Sequence, residues 1–160
     1  MHYLVIKSTF DNFNCLMLGV IVKIKTENFQ VETKSFNGIV DITEDVQKIL
    51  DNSGMKEGNA LVFAIGSTVG ITTIEYEPGL LKDYPDFMER IVPAKSKYHH
   101  DETWHDGNGF AHVRSSLQGT SFTVPFVDAK LMLGTWQQII LVNFDNRARK
   151  RNIIVQLIGE

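Results

Sequence analysis

Residues 99–136, HHDETWHDGNGFAHVRSSLQGTSFTVPFVDAKLMLGTW, set a histidine-rich polar segment directly against a β-prone run. Four of the five histidines fall in it, His99, His100, His105 and His112, interleaved with Asp101, Glu102, Asp106 and Asn108. Neutral imidazole ligates metals and titrates near physiological pH, so imidazoles and carboxylates this close in sequence can converge on a metal, a proton or an anion. Gly107-Asn108-Gly109 can take positive φ, which lets the chain bend and aim its flanking side chains at one point. The small and apolar residues that follow read as strand-like and would tie the cluster to a sheet, the kind of rigid support on which polar binding loops sit.

Toward the C-terminus the same segment continues into alternating strands. Residues 121–127 read as one strand, Asp128-Ala129 as a hairpin turn, and residues 131–133 as the start of the return, bent by Gly134. Residues 136–144 read as a long strand in which Trp136 packs and Gln137, on the opposite face, looks into a pocket. Asp145-Asn146-Arg147 turns the chain into a last strand over residues 152–158. Strands joined by short loops, without βαβ alternation, give an α+β chain with a predominantly antiparallel sheet or sandwich.

Toward the N-terminus, residues 29–36 alternate with period two and Asn37-Gly38 marks a tight hairpin returning through residues 39–42. Thr43 is placed to cap a helix, with Glu44 and Asp45 in its first turn and Ile42, Val46, Ile49 and Leu50 on one face. Residues 60–65 read as a buried strand ending in Gly66-Ser67-Thr68, an ordinary connection or one that presents N–H groups to an anion; the Gly-Lys-Ser/Thr ending of a full phosphate loop is absent. Glu75 ends the next strand. A second helical periodicity runs over residues 80–92, with its helix expected to begin at Pro85, where proline suits a first turn. Two flanking helices are thus expected. Residues 1–25 hold two further β-prone runs.

Composition narrows the function. A chain of 160 residues with 43% hydrophobic content is sized for one domain with its own core. A net charge of -3 argues against a nucleic-acid partner. The basic cluster Arg147, Arg149, Lys150 and Arg151 reads as a solvated strand edge. Cys15 stands alone, so no disulfide or thiolate metal site forms and a reducing, cytoplasmic setting is expected. The apolar run at residues 15–22 is too short to span a bilayer, so no membrane partner is expected.

The segments GSTVGITTIEYEPGL, HDGNGFAH, SLQGTSFTVPFVDAKLMLGTWQ and the terminal VQLIGE resemble the YjbQ family, whose members are often labelled secondary thiamine-phosphate synthases. The resemblance covers residues 27–160 as a single YjbQ-like domain and leaves residues 1–26 as an N-terminal extension or extra strand pair. It implies a predominantly antiparallel β-sandwich flanked by helices, assembled as a homotrimer with polar pockets near the subunit boundaries. The shared polar positions look like Glu75, His100, Asp106, Asn108, His112, Ser121 and Gln137. Many members carry a histidine where this chain has Gly66, and His105 is the residue available to replace it.

The expected site is therefore His100, Asp106, His112 and Glu75 as catalytic groups. His100 and His112, with His105, would hold a divalent metal ion. Ser67, Thr68, Asn108, Arg114, Ser121 and Gln137 would contact a phosphorylated small molecule, Arg114 because a guanidinium grips phosphate with two bonds. By resemblance the reaction would join a pyrimidine diphosphate to a thiazole phosphate. The competing readings are a metal-assisted phosphate-ester or small-molecule hydrolase, and a non-catalytic trimer that binds a small anion.

Overall fold

A computed structural model describes residues 21–160 of the chain; the expected strand pair of residues 1–25 lies almost wholly outside them. Among the described residues eight strands and four helices follow in the order β1 (Lys23–Thr33), β2 (Gly38–Asp41), α1 (Thr43–Asp51), β3 (Gly58–Ile65), β4 (Val69–Ile74), α2 (Leu80–Ile91), α3 (His99–Trp104), α4 (Gly109–Gln118), β5 (Ser121–Val127), β6 (Lys130–Leu131), β7 (Gln138–Asn143) and β8 (Arg149–Gly159). A five-stranded sheet has the order β1-β8-β3-β5-β6 and a three-stranded sheet the order β2-β7-β4. Every pairing among the described residues is antiparallel.

Period-two alternation builds the first apolar layer. Val31 of β1, Ala60, Val62 and Ala64 of β3, Val124 and Phe126 of β5, and Ile153, Val155 and Leu157 of β8 all point to one side of the larger sheet. They pack on Val69, Ile71, Ile139 and Leu141 of the smaller sheet, and Val46 and Leu50 of α1 join the same cluster. The other face of β7, through Ile140 and Val142, meets Met88 of α2 and Phe110 and Ala111 of α4 in a second cluster. The result is three layers: sheet, sheet and helices. β7 is apolar almost throughout because both of its faces are covered.

Several local expectations are corrected. β1 and β2 do not form a hairpin with each other: β1 pairs β8 and β2 pairs β7, so the turn at Phe36 and Asn37, both at positive φ, carries the chain between sheets. α1 is started by Asp41, whose Oδ1 accepts from the Thr43 N–H at 2.9 Å and from its hydroxyl at 2.6 Å, rather than by Thr43 as cap. α2 begins at Leu80 and runs through Pro85, because the Glu77 carboxylate caps it by accepting from the Gly79 and Leu80 N–H groups. That capping and the burial of Met88 outweigh the single bond Pro85 cannot donate. The histidine segment is not a loop followed by a strand but a helical hairpin, α3 then α4, so four helices stand among the described residues where two were expected. The Asp128-Ala129 hairpin is present, both residues at positive φ. Among the described residues, no helix is long and apolar enough to cross a membrane.

Candidate functional site

The turn between α3 and α4 does what its glycines permit. Gly107 sits at φ 65°, and Gly109 lets α4 press against α3, where a Cβ would lie 2.5 Å from the Tyr98 Cβ. Asp101 reinforces the bend by accepting the Gly109 N–H at 2.9 Å. From the far side Asn146, in the β7–β8 turn, donates to the carbonyls of Asp106 and Gly107 at 2.8 and 3.1 Å. His100 on α3 and His112 on α4 are thereby brought face to face, their ring centroids 4.2 Å apart at a tilt of 41°. His100 Nε2 lies 3.5 Å from Asp106 Oδ1.

Beside His112 opens a cleft of about 400 Å³ lined by the Gly66-Ser67-Thr68 connection, Asn108, Asp145 and the three consecutive cations Arg149, Lys150 and Arg151. The β3–β4 connection passes from one sheet to the other here, and β8 enters directly after the turn that follows β7. Asp145 is buried, bound by Thr68 Oγ1 at 3.1 Å and Arg149 Nε at 2.9 Å. Burial alone would raise its carboxyl, but the Arg149 bond and charge, the Thr68 hydroxyl and the Arg147 N–H hold it below the ordinary aspartate value. Arg151 is also buried, donating to Thr68 Oγ1 at 2.8 Å and to Asn143 Oδ1. Burial, with the charge of His100, depresses His112, against the opposing pull of Asp106, Asp145 and Asp101.

Among the described residues, five enclosed polar side-chain atoms have no hydrogen-bond partner, and all belong to this corner: His100 Nε2, Asp106 Oδ1, Asn108 Oδ1, Asn146 Oδ1 and Arg151 Nε. An unpaired buried polar group costs about 1–3 kcal/mol. Their concentration around one cleft marks it as the place where the chain sacrifices stability.

Of the residues expected at the site, His100, Asp106, Asn108, His112, Ser67 and Thr68 are brought together. His105 is not: it ends α3 in the left-handed conformation and lines a separate cleft with Tyr98, Asp101 and Glu102. Among the described residues no three His, Cys, Asp or Glu side chains are arranged to hold a metal ion, so the His100, His105, His112 set does not fit one. Glu75 is exposed at the end of β4. Ser121 starts β5 opposite Phe63, on the outer face of the large sheet. Gln137 precedes β7 rather than lying in it, binds Thr73 Oγ1 at 3.0 Å and borders a different cleft beside α1, while Trp136 is 70% exposed instead of packed. Arg114 is 1% exposed and points into the helical layer, where Val92 O, Asn37 Oδ1 and the Glu89 carboxylate occupy its guanidinium. Four of its five N–H donors are engaged there, and the residue does not line the cleft.

The residues missed from the sequence are Asp145, Asn146, Arg149, Lys150 and Arg151. The signal was present: a basic run abutting a fully buried strand starts where the fold is rigid, not at a loose edge.

Residues 27–160 match the family described as UPF0047 protein YjbQ-like. A UPF0047 protein of Archaeoglobus fulgidus is 38% identical over 120 residues, 75% of this chain and 90% of the relative. The UPF0047 protein YugU of Bacillus subtilis is 32% identical, covering 83% of this chain and 98% of its own. Among solved structures, a YbjQ-like protein of unknown function from Sulfolobus solfataricus superposes with a TM-score of 0.82 at 32% identity, over 88% of this chain and all of that one.

Proposed function

This chain belongs to the UPF0047 YjbQ-like family, and from that premise and the chemistry of the cleft we propose that it is an enzyme acting on a phosphorylated small molecule. The observation that carries the proposal is the convergence of three cations, two hydroxyl residues and an imidazole on one cleft. Lys150 and Arg149 supply positive charge at the rim, Arg151 is held below it by Asn143 and Thr68, and Ser67 adds a hydroxyl donor. Charge-assisted donors of this kind recognise phosphate oxygens. His112 lines the same cleft, where its imidazole would adjoin a bound phosphate, and His100 with Asp106 packs behind it.

Two reactions fall within this class. One is the thiamine-phosphate synthase-type coupling brought by the family resemblance, in which a carbon–oxygen bond to pyrophosphate breaks as the thiazole nitrogen bonds that carbon. The other is phosphate-ester hydrolysis, which an imidazole adjoining the phosphate cradle favours. A divalent ion enters only as the companion of the ligand's phosphate, and no step depends on it here. Calorimetric titration with inorganic phosphate and pyrophosphate tests the cleft: Lys150→Ala should weaken binding about tenfold, with the loss shrinking as salt rises. Absence of phosphate binding by the native chain defeats the proposal. Product analysis with both thiamine precursors, and separately with phosphomonoesters, divides the two reactions.

The homotrimer belongs to the same proposal. It is supported by the outer face of the large sheet, where Ile24, Phe63, Ile65, Val127 and Ile158 stand exposed on alternate positions. Sedimentation equilibrium checks it: three-chain mass for the native protein, and a lower mass for Phe63→Lys. A native monomer removes it.

A further inference from the structure

Resting on the phosphoester reading above, we propose that His112 is the nucleophile of a two-step phosphoryl transfer, taking the phosphoryl group of a phosphomonoester onto a ring nitrogen and passing it to water.

The two histidines are neighbours with different surroundings, and that difference assigns their roles. His100 turns Nε2 toward Asp106 Oδ1, 3.5 Å away, and that nitrogen is enclosed. Among the described residues, His112 makes no side-chain hydrogen bond; its backbone alone is engaged, the N–H by Asn108 O at 3.4 Å and the carbonyl by the Ser116 hydroxyl at 2.9 Å. Neither ring nitrogen of His112 is among the enclosed unpartnered atoms, and the residue lines the cleft beside Ser67, Thr68, Arg149 and Lys150. An unengaged imidazole nitrogen at a cationic phosphate cradle is what attack on phosphorus requires: a lone pair in line, and fixed positive charge for the oxygens that gather negative charge. The walls match the ligand in charge, since Arg149, Lys150 and Arg151 set against Asp145 leave three minus one, a net +2, facing a phosphomonoester dianion.

In the first step the His112 lone pair forms a nitrogen–phosphorus bond while the bond from phosphorus to the ester oxygen breaks. The ester oxygen keeps that electron pair and takes a proton from a water in the cleft, leaving hydroxide. In the second step hydroxide attacks, its oxygen bonding to phosphorus. The nitrogen–phosphorus bond breaks and its electron pair returns to His112. The products are an alcohol and inorganic phosphate, and His112 is restored.

The test is rapid-quench kinetics of the native chain with p-nitrophenyl phosphate, followed by mass analysis of alkali-quenched protein. The expected result is a burst of one nitrophenolate per chain and a base-stable, acid-labile phosphoryl group on residue 112. His112→Asn should abolish both. His100→Asn, which leaves His112 and the cleft lining in place, should retain the adduct. A phosphoryl group on another residue, or phosphate binding by the native chain with no adduct whether or not the ester turns over, overturns the nucleophile and leaves the cleft reading standing. A native chain that neither binds inorganic phosphate nor cleaves an ester overturns both.

Discussion

Replacing Arg114 with methionine separates a scaffold residue from a ligand residue that looks alike in sequence. The guanidinium donates Nε to Val92 O at 2.9 Å, Nη2 to the same oxygen at 2.6 Å, Nη1 to Asn37 Oδ1 at 3.0 Å and Nη2 to Glu89 Oε2 at 2.6 Å. It thereby ties α4 to the end of α2 and to the turn after β1. Methionine keeps the apolar stem against Phe110, over which the guanidinium lies at 5.1 Å. What is lost is the polar end: each bond contributes about 1 kcal/mol net, and the abandoned Val92 carbonyl adds about 1–3 kcal/mol. The Glu89 partner is half exposed and returns to water, so its bond contributes little. The expected loss is about 3 kcal/mol, read from urea unfolding followed by circular dichroism, with a fall in Tm of roughly 6–12 °C. Phosphate affinity measured well below the transition should be unchanged. Native stability combined with tenfold weaker phosphate binding would return Arg114 to the ligand site and refute this assignment.

Three other outcomes follow from particular contacts. Gly70→Ala places a Cβ 2.7 Å from Gln118 Cγ and 2.9 Å from Phe144 Cε2, so it should cost about 1–3 kcal/mol in chemical denaturation by pushing α4 from β4; a neutral result would show that α4 has slack. Because His112 is depressed by burial and by His100, the unfolded chain takes up its proton before the folded chain does. Relative to His112→Gln, the native chain should therefore lose stability as pH falls through 6.5 toward the lower folded value, and show no such deficit above it; a pH-independent difference contradicts this. Asp106, Asp145 and Asp101 face the same imidazole and limit the effect. Finally, with no three-ligand group among the described residues, the chain dialysed without phosphate should retain well under one divalent ion per chain by elemental analysis, and stoichiometric retention would contradict that.

What the sequence reveals here follows the range of each interaction. Alternation in residues 121–127 and the turn at Asp128-Ala129 are local, and the antiparallel C-terminal strands are read correctly from them. The partner of β1 is 116 residues away at Arg149, paired to Thr33, and no hairpin signal at Asn37-Gly38 can announce a pairing that distant. The α3–α4 hairpin was misread because its polar histidine run lacks the apolar stripe of a helix, though its glycines correctly indicated that His100 and His112 would meet. Arg114 was misassigned since its chemistry suits phosphate equally well. Only burial shows that its donors are engaged. Lys150 and its neighbours were missed for the opposite reason, a charge run resembling a solvated edge until the β3–β4 connection is laid beside it.

A nitrogen–proton correlation spectrum of the native chain during titration with inorganic phosphate tests the central claim most directly. The account predicts saturable shifts concentrated on Ser67, Thr68, Asn108, His112 and Lys150, with the α1 cleft around Gln47 and Gln137 unmoved. Shifts centred on that second cleft, or none anywhere, would contradict it.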